Sequence, residues 1–163
     1  EHPRADEGTI VTFDARGDED WVYFDLEADQ TVEPQTPEDS TEWDLGLLRF
    51  NVSLNGGTSG TGGVEVAVLR DATFADVTVA PASGYVTDNA ANGPANMETM
   101  PGYAFDLWYD YDISRHVLEP TGTVYVVHTV EDNYFKVEVL DYYDGAGSPG
   151  YMTLLWDPVD PPS

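Results

Sequence analysis

The chain is 163 residues long, enough for one domain with a substantial core, and it contains no cysteine, which excludes disulfides, zinc fingers, iron–sulfur clusters and thiol catalysis. Thirty-one Asp and Glu against six Lys and Arg give a net charge of −25, about one negative charge per 320 Å² of the roughly 8,000 Å² surface expected at this mass. Such a surface repels nucleic acid and anionic lipid, and the apolar runs are far shorter than the roughly 20 residues that span a bilayer. The charge also points to a saline habitat or extracellular divalent cations that screen self-repulsion, with solubility alone as the simpler explanation.

Residues 1–8 have no hydrophobic period and read as a lead-in. With no initiator Met and no apolar leader, the chain is expected to be a mature or trimmed form without its targeting segment. Residues 9–13 read as a strand. In residues 21–26, Trp21, Tyr23 and Asp25 alternate with Val22, Phe24 and Leu26, the pattern of a half-buried strand. Residues 27–41 are acidic, carry Pro34 and Pro37, and read as a loop. Residues 43–54 read as one long strand, bulged near Gly46 so that Trp43 and Phe50 both reach the core. The glycine-rich stretch 55–63 lacks the surroundings of a nucleophile elbow and the Lys of a phosphate loop, and reads as a glycine hairpin or wide loop. Val64, Val66 and Val68 share one strand face, and residues 71–77 are the one stretch expected to form a helical turn. Residues 81–102 form a long irregular segment, of the kind that tends to carry function.

Strands resume at 103–109, 123–130, 133–142 and 151–156, and residues 157–163 form a proline-rich tail. A two-residue loop at Glu131-Asp132 is expected to pair His128 with Phe135. It collects Val124, Val126, His128, Val130, Phe135, Val137 and Val139 on one apolar face, whereas a three-residue loop mixes Val126 with Glu138. The chain therefore reads as a single all-β domain over residues 9–156, an antiparallel sandwich with hairpin connections.

Of the three histidines, His2 lies in the lead-in, His116 precedes Pro120 in a connection, and His128 is on a strand. Either of the last two is a hydrogen-bonded structural residue or a metal or haem ligand. Met97 and Met100 sit three apart in an acidic loop, as gap-fillers or as thioether donors suited to haem iron or Cu(I). Asp18-Glu19-Asp20, Asp106/Asp110/Asp112 and Asp141/Asp144 are acidic loops that bind Ca²⁺ weakly or are simply solvated. Trp43, Tyr85, Tyr103, Trp108, Tyr109, Tyr111, Tyr142 and Tyr143 adjoin irregular segments and form a sugar platform, a porphyrin wall, or ordinary core.

Taken together, Trp21-Val-Tyr-Phe-Asp-Leu26, Thr41-Glu-Trp-Asp-Leu45, Arg49 and the glycine stretch from Asn55 to Gly63 resemble the amino-terminal half of the HmuY-like haem-binding proteins. Trp108-Tyr-Asp-Tyr-Asp112, His116, Pro120, Val124-Tyr-Val-Val-His-Thr129, Tyr134-Phe-Lys136 and Asp141-Tyr-Tyr143 resemble the carboxy-terminal half. The resemblance implies an all-β fold, export as an outer-membrane lipoprotein or a released form, and non-catalytic haem scavenging in iron acquisition. It implies two axial donors, His or Met, from irregular segments near one sheet edge. In this sequence those segments hold Met97 or Met100 and His116, with His128 as a spare and Tyr103 and Trp108 flanking the porphyrin. Arg115 is the nearest cation in sequence for the propionates, which otherwise face solvent. Two other readings stand beside haem binding: a surface accessory module docked to an outer-membrane receptor or complex, and a sugar-binding module with Ca²⁺ in its acidic loops. No nucleophile motif calls for an enzyme.

Overall fold

The computed structural model describes residues 8–17, 21–57, 59–88, 104–105 and 108–162. Twelve strands form among these residues: β1 (Thr9–Asp14), β2 (Val22–Asp25), β3 (Gln30–Val32), β4 (Leu45–Leu48), β5 (Asn51–Leu54), β6 (Glu65–Leu69), β7 (Tyr85–Val86), β8 (Tyr109–Asp112), β9 (Val117–Pro120), β10 (Val124–His128), β11 (Tyr134–Tyr143) and β12 (Pro149–Pro158). They make a six-stranded sheet in the order β1-β12-β11-β10-β6-β7, a four-stranded sheet in the order β3-β2-β4-β5, and the separate hairpin β8-β9. All strand pairs are antiparallel, so the all-β sandwich expected from the alternating pattern is what forms. No helix among the described residues is long and apolar enough to cross a membrane.

The main core lies between the two larger sheets. Phe24, Leu26, Leu45, Leu47 and Leu54 from the small sheet meet Phe13, Val66, Tyr125, Val137, Leu154 and Trp156 from the large one. Phe13 meets Phe24 edge-on with ring centroids 5.0 Å apart, and Trp156 touches both Phe24 (5.9 Å) and Phe135 (5.6 Å), a geometry that favours aromatic pairs. A second apolar layer covers the outer face of the large sheet, where Phe74, Val77 and Ala80 lie on Ala67, Val124, Val126 and Leu155.

That second layer overturns the expected hairpin register. His128 pairs with Tyr134, and Val127 with Phe135. The loop has three residues, with Thr129 N–H bonded to Asn133 O, Asp132 N–H bonded to Thr129 O, and Asp132 in the left-handed region at φ 68°. Val126 and Glu138 do share a face, and so does Lys136. The arrangement is stable because the 70–81 segment buries that face, where Lys136 Nζ donates to Phe74 O at 2.5 Å. His128 therefore sits on the outer face, away from Phe135 and Val137.

Two further expectations are corrected. Residues 43–54 do not form a bulged strand but the β4–β5 hairpin, turning at Arg49 (φ 53°) and Phe50. Gly46 stays in register, and its lack of a side chain makes room for neighbours: a Cβ there would lie 2.5 Å from Ser53 Oγ and 3.3 Å from the rings of Trp21 and Tyr23. The stretch 71–77 holds turns, closed by Asp76 N–H to Thr73 O and Val77 N–H to Phe74 O, rather than a helix. The single 3-10 turn among the described residues is Pro37–Asp39, within the stretch read as loop, which also contains β3.

Candidate functional site

The β8–β9 hairpin stands apart from the sandwich. Its strands pair from Tyr109↔Pro120 to Asp112↔Val117, leaving a four-residue turn that ends in His116. Asp112 organises this turn. Its Oδ1 accepts the Ser114 N–H (3.0 Å), the Ser114 hydroxyl (2.7 Å) and the Arg115 N–H (3.3 Å), while Oδ2 accepts Arg115 Nε–H at 2.7 Å. The bonds from Ser114 and Arg115 hold the Asp112 carboxyl down to about 2. Arg115 also reaches Glu119, so both ends of this cation are engaged.

His116 closes the turn with φ 55°, a left-handed conformation that His tolerates better than most residues. It is exposed, and its Nδ1 meets the Tyr111 hydroxyl at 2.7 Å. With Nδ1 engaged, Nε2 is the ring nitrogen that could take a metal, since a partner on one nitrogen orients the other. Beside His116, Tyr111 is 52% and Ile113 75% exposed, next to the polar Ser114 and the paired Arg115.

The hairpin is anchored at two points. Leu118 N–H donates to the Tyr143 hydroxyl at 2.9 Å, docking β9 on the far end of β11. At the base, Trp108 Nε1–H donates to Phe50 O (2.9 Å), and Thr121 N–H to Trp108 O (2.8 Å). Trp108 itself is buried and packs edge-on against Tyr109 at 4.8 Å, so it supports the hairpin from within the core.

The stretch 81–102, read as irregular, contains β7 at Tyr85–Val86, and just after it a buried carboxylate ties together the described residues on either side of 89–103. Asp88 Oδ2 accepts Leu54 N–H and the Ser59 hydroxyl, both at 2.8 Å, and Oδ1 accepts Ala104 N–H at 2.9 Å. The chain thus leaves at Asp88 and returns at Ala104 on the same carboxylate. Burial raises the Asp88 pKa against the pull of these three donors. The glycine stretch wraps the same place: a Cβ on Gly57, whose φ is +61°, would sit 1.8 Å from Asp88 O. Buried Asn55 holds the rest of that loop through Ser40 O, Trp43 O and Gly62 N–H.

The sequence-based candidates separate clearly. Met97, Met100 and Tyr103 lie outside the described residues. His116 is exposed on the hairpin turn, and Trp108 is in the core. His128 is at the opposite end of the large sheet. It pairs with Tyr134, nine residues along β11 from the Tyr143 that meets β9, which is about 30 Å of strand. The two imidazoles therefore do not converge on one metal ion. His128 also has both ring nitrogens engaged, Nδ1 with Glu65 at 3.0 Å and Nε2 with Asp132 at 2.6 Å.

The acidic loops singled out for Ca²⁺ do not form cages among the described residues. Asp112 caps the hairpin turn, Asp141 accepts the N–H groups of Tyr142 and Tyr143, and Asp144 accepts those of Ala146 and Ser148. Asp18, Glu19, Asp20 and Asp106 lie outside the described residues. The carboxylates that do gather, Asp25, Glu27 and Glu131, come from different parts of the chain. Sequence reasoning missed Asp88, Asp44 and Glu27. Nothing marks them among thirty-one acids, because their burial and partners are set by contacts distant in sequence.

Compared with known proteins, the chain matches the model of the HmuY family, described as HmuY protein, over residues 18–156. No curated protein sequence matches it. Among solved structures, the apo form of a HmuY analog from Tannerella forsythia superposes with a TM-score of 0.70 at 18% identity, covering 93% of this chain and 95% of that one. A candidate lipoprotein from Bacteroides fragilis gives 0.64 at 21% identity, covering 95% and 91%. A candidate HmuY-like heme-binding protein from Bacteroides vulgatus gives 0.63 at 19% identity, covering 95% and 93%. At these identities the likeness to the solved structures is one of fold.

Proposed function

Because the chain belongs to the HmuY family, we propose that it is an exported, non-catalytic haem-binding protein that scavenges haem for iron acquisition. The observation that carries this reading is the family match across residues 18–156, most of the sandwich and the whole of the β8–β9 hairpin. His116 is the proposed imidazole donor to the iron. It is the described histidine that is exposed, it has Nδ1 tied to Tyr111, and it stands beside the apolar side chains of Tyr111 and Ile113. Met97 or Met100 is the proposed donor on the other side of the iron, with Tyr103 against the porphyrin. Trp108 supports the hairpin from its base, and His128, held between two carboxylates, is left out. Since Arg115 is shared between Asp112 and Glu119, the propionates face solvent.

Localisation at the cell surface or outside the cell, with delivery to an outer-membrane receptor, completes the proposal. It is supported by the family and by the candidate lipoprotein of the same fold. The test is titration of the protein with hemin while the Soret band is followed. Binding through one imidazole and one thioether gives a low-spin spectrum with a raised reduction potential. A spectrum that stays that of free hemin at every protein concentration overturns the reading.

A further inference from the structure

The tip of the β10–β11 hairpin is gripped from both faces of its sheet by groups that bind protons. On the inner face, buried Asp44 accepts Val130 N–H through Oδ1 (3.1 Å) and Leu26 N–H through Oδ2 (2.9 Å), joining the small sheet to the hairpin. Beside it, Glu27 Oε2 accepts the Thr129 hydroxyl and Asn133 Nδ2–H (3.1 Å). Glu27 Oε1 is buried and has no hydrogen-bond partner of its own. The two carboxyls are neighbours: Asp44 binds the N–H groups of Leu26 and Val130, and Glu27, next in chain to Leu26, binds Thr129, next to Val130. One proton shared between them supplies the missing partner and avoids two adjacent buried charges. The other titratable groups facing this pair, Asp25 and Glu131, are acidic as well.

On the outer face, His128 lies between Glu65 of β6 and Asp132 of the loop. It stacks on Tyr134 with centroids 4.4 Å apart and planes 2° from parallel, and Tyr85 of β7 meets it edge-on at 6.3 Å. Both ring nitrogens face carboxylate oxygens. A neutral imidazole has one N–H and satisfies only one of them, so the geometry is that of an imidazolium.

We propose that residues 129–133 form a proton-controlled clasp between the two sheets, closed when the Glu27–Asp44 pair holds its proton and His128 is charged, and loosened when both protons leave. The two grips have the same sign. Burial, then the neighbouring Glu27, lifts Asp44 to about 7. Burial draws His128 down, but the bonds to Asp132 and Glu65 outweigh it and the net shift is upward. A group that binds its proton more tightly in the closed form favours closure at low pH and loses that advantage as pH rises. The advantage of the carboxyl pair fades from about pH 4 to about 7. That of His128 is full below its ordinary 6.5 and fades as the pH passes the raised value. Once both protons have left, the tip lies among the carboxyl groups of Asp25, Glu27, Asp44, Glu65, Glu131 and Asp132, with no cation of the described residues between them.

The test is amide hydrogen exchange on the full chain at pH 5.5 and 8.5, corrected for the intrinsic pH dependence of exchange. Val130 N–H is the reporter, and Val126 in the middle of β10 is the control. Protection of Val130 is expected to fall at least about tenfold across this range while that of Val126 holds, the factor that one unit of pKa difference produces. Glu27→Gln places a permanent donor towards Asp44 and keeps an acceptor for Thr129 and Asn133, so it should remove most of the pH dependence. His128→Gln tests the other face independently and should remove a separate part. Val130 protection that is the same at both pH values, or that falls in step with Val126, overturns the clasp, as does a His128 titration midpoint at or below 6.5.

Discussion

Replacing Asp88 by Ala tests how one buried carboxylate joins Leu54, Ser59 and Ala104. The carboxylate serves three donors, Leu54 N–H, Ala104 N–H and the Ser59 hydroxyl, each within 2.9 Å. Ser59 can turn its hydroxyl elsewhere, but the two backbone N–H groups are buried and fixed in direction. Each orphaned buried donor costs about 1–3 kcal/mol, and relief of the carboxylate's own desolvation offsets part of this, leaving a net loss of about 2–4 kcal/mol. Against a total stability of about 5–15 kcal/mol that is a large fraction, readily measured by urea unfolding followed through tryptophan fluorescence. Asp88→Asn keeps the volume and one acceptor and should lose about half as much. Because burial raises the Asp88 pKa, its contribution is greatest below its unfolded value near 3.8 and declines as pH rises through the folded one. The gap between wild type and Asp88→Asn should therefore be wider at pH 4 than at pH 8. A loss under about 0.5 kcal/mol for Asp88→Ala, the range of ordinary surface substitutions, would refute the reasoning.

Three further outcomes are expected. Lys136→Met removes the donor to Phe74 O and the cation lying 4.2 Å from the Phe74 ring. It should cost about 1–3 kcal/mol in urea unfolding and speed exchange at Val77 N–H, and unchanged exchange there would contradict the pinning role. Gly46→Ala drives a Cβ to 2.5 Å from Ser53 Oγ and should cost about 1–3 kcal/mol in thermal melts. Adding Ser53→Ala should recover part of this, and a neutral Gly46→Ala would show that the space is not needed. With a net charge of −25, the melting temperature should rise between low and molar NaCl as self-repulsion is screened, and a flat response would remove the saline reading.

β3 and β7 lie in stretches read as loop, and the sheet order, with β1 beside β12 and β6 beside β10, is set by contacts distant in sequence. The strands at 9–13, 21–26, 123–130, 133–142 and 151–156 were legible because period two dominates there. The β10–β11 register was not. The choice between a two- and a three-residue loop assumed that one face of the hairpin is wet, whereas Phe74 and Val77 bury the outer face and make Lys136 and Glu138 acceptable there. The turn at Arg49 and Phe50 carries no Gly or Asn, so a hairpin was read as one strand. For the site, His116 could be picked out as an exposed histidine in a connection, but the strand β9 that follows it was missed. The polar groups that organise the molecule, Asp88, Asn55, Asp44 and Glu27, act through partners far along the chain and have no local signature.

The most direct measurement compares wild type and His116→Ala, each titrated with hemin and checked for an unchanged unfolding midpoint. His116 is exposed, so its removal leaves the core intact. Haem carriage through the hairpin imidazole predicts a low-spin Soret band in the wild type and at least about tenfold weaker binding in the variant, roughly one coordination partner's worth of free energy. Equal affinity and identical spectra in the two proteins would contradict it.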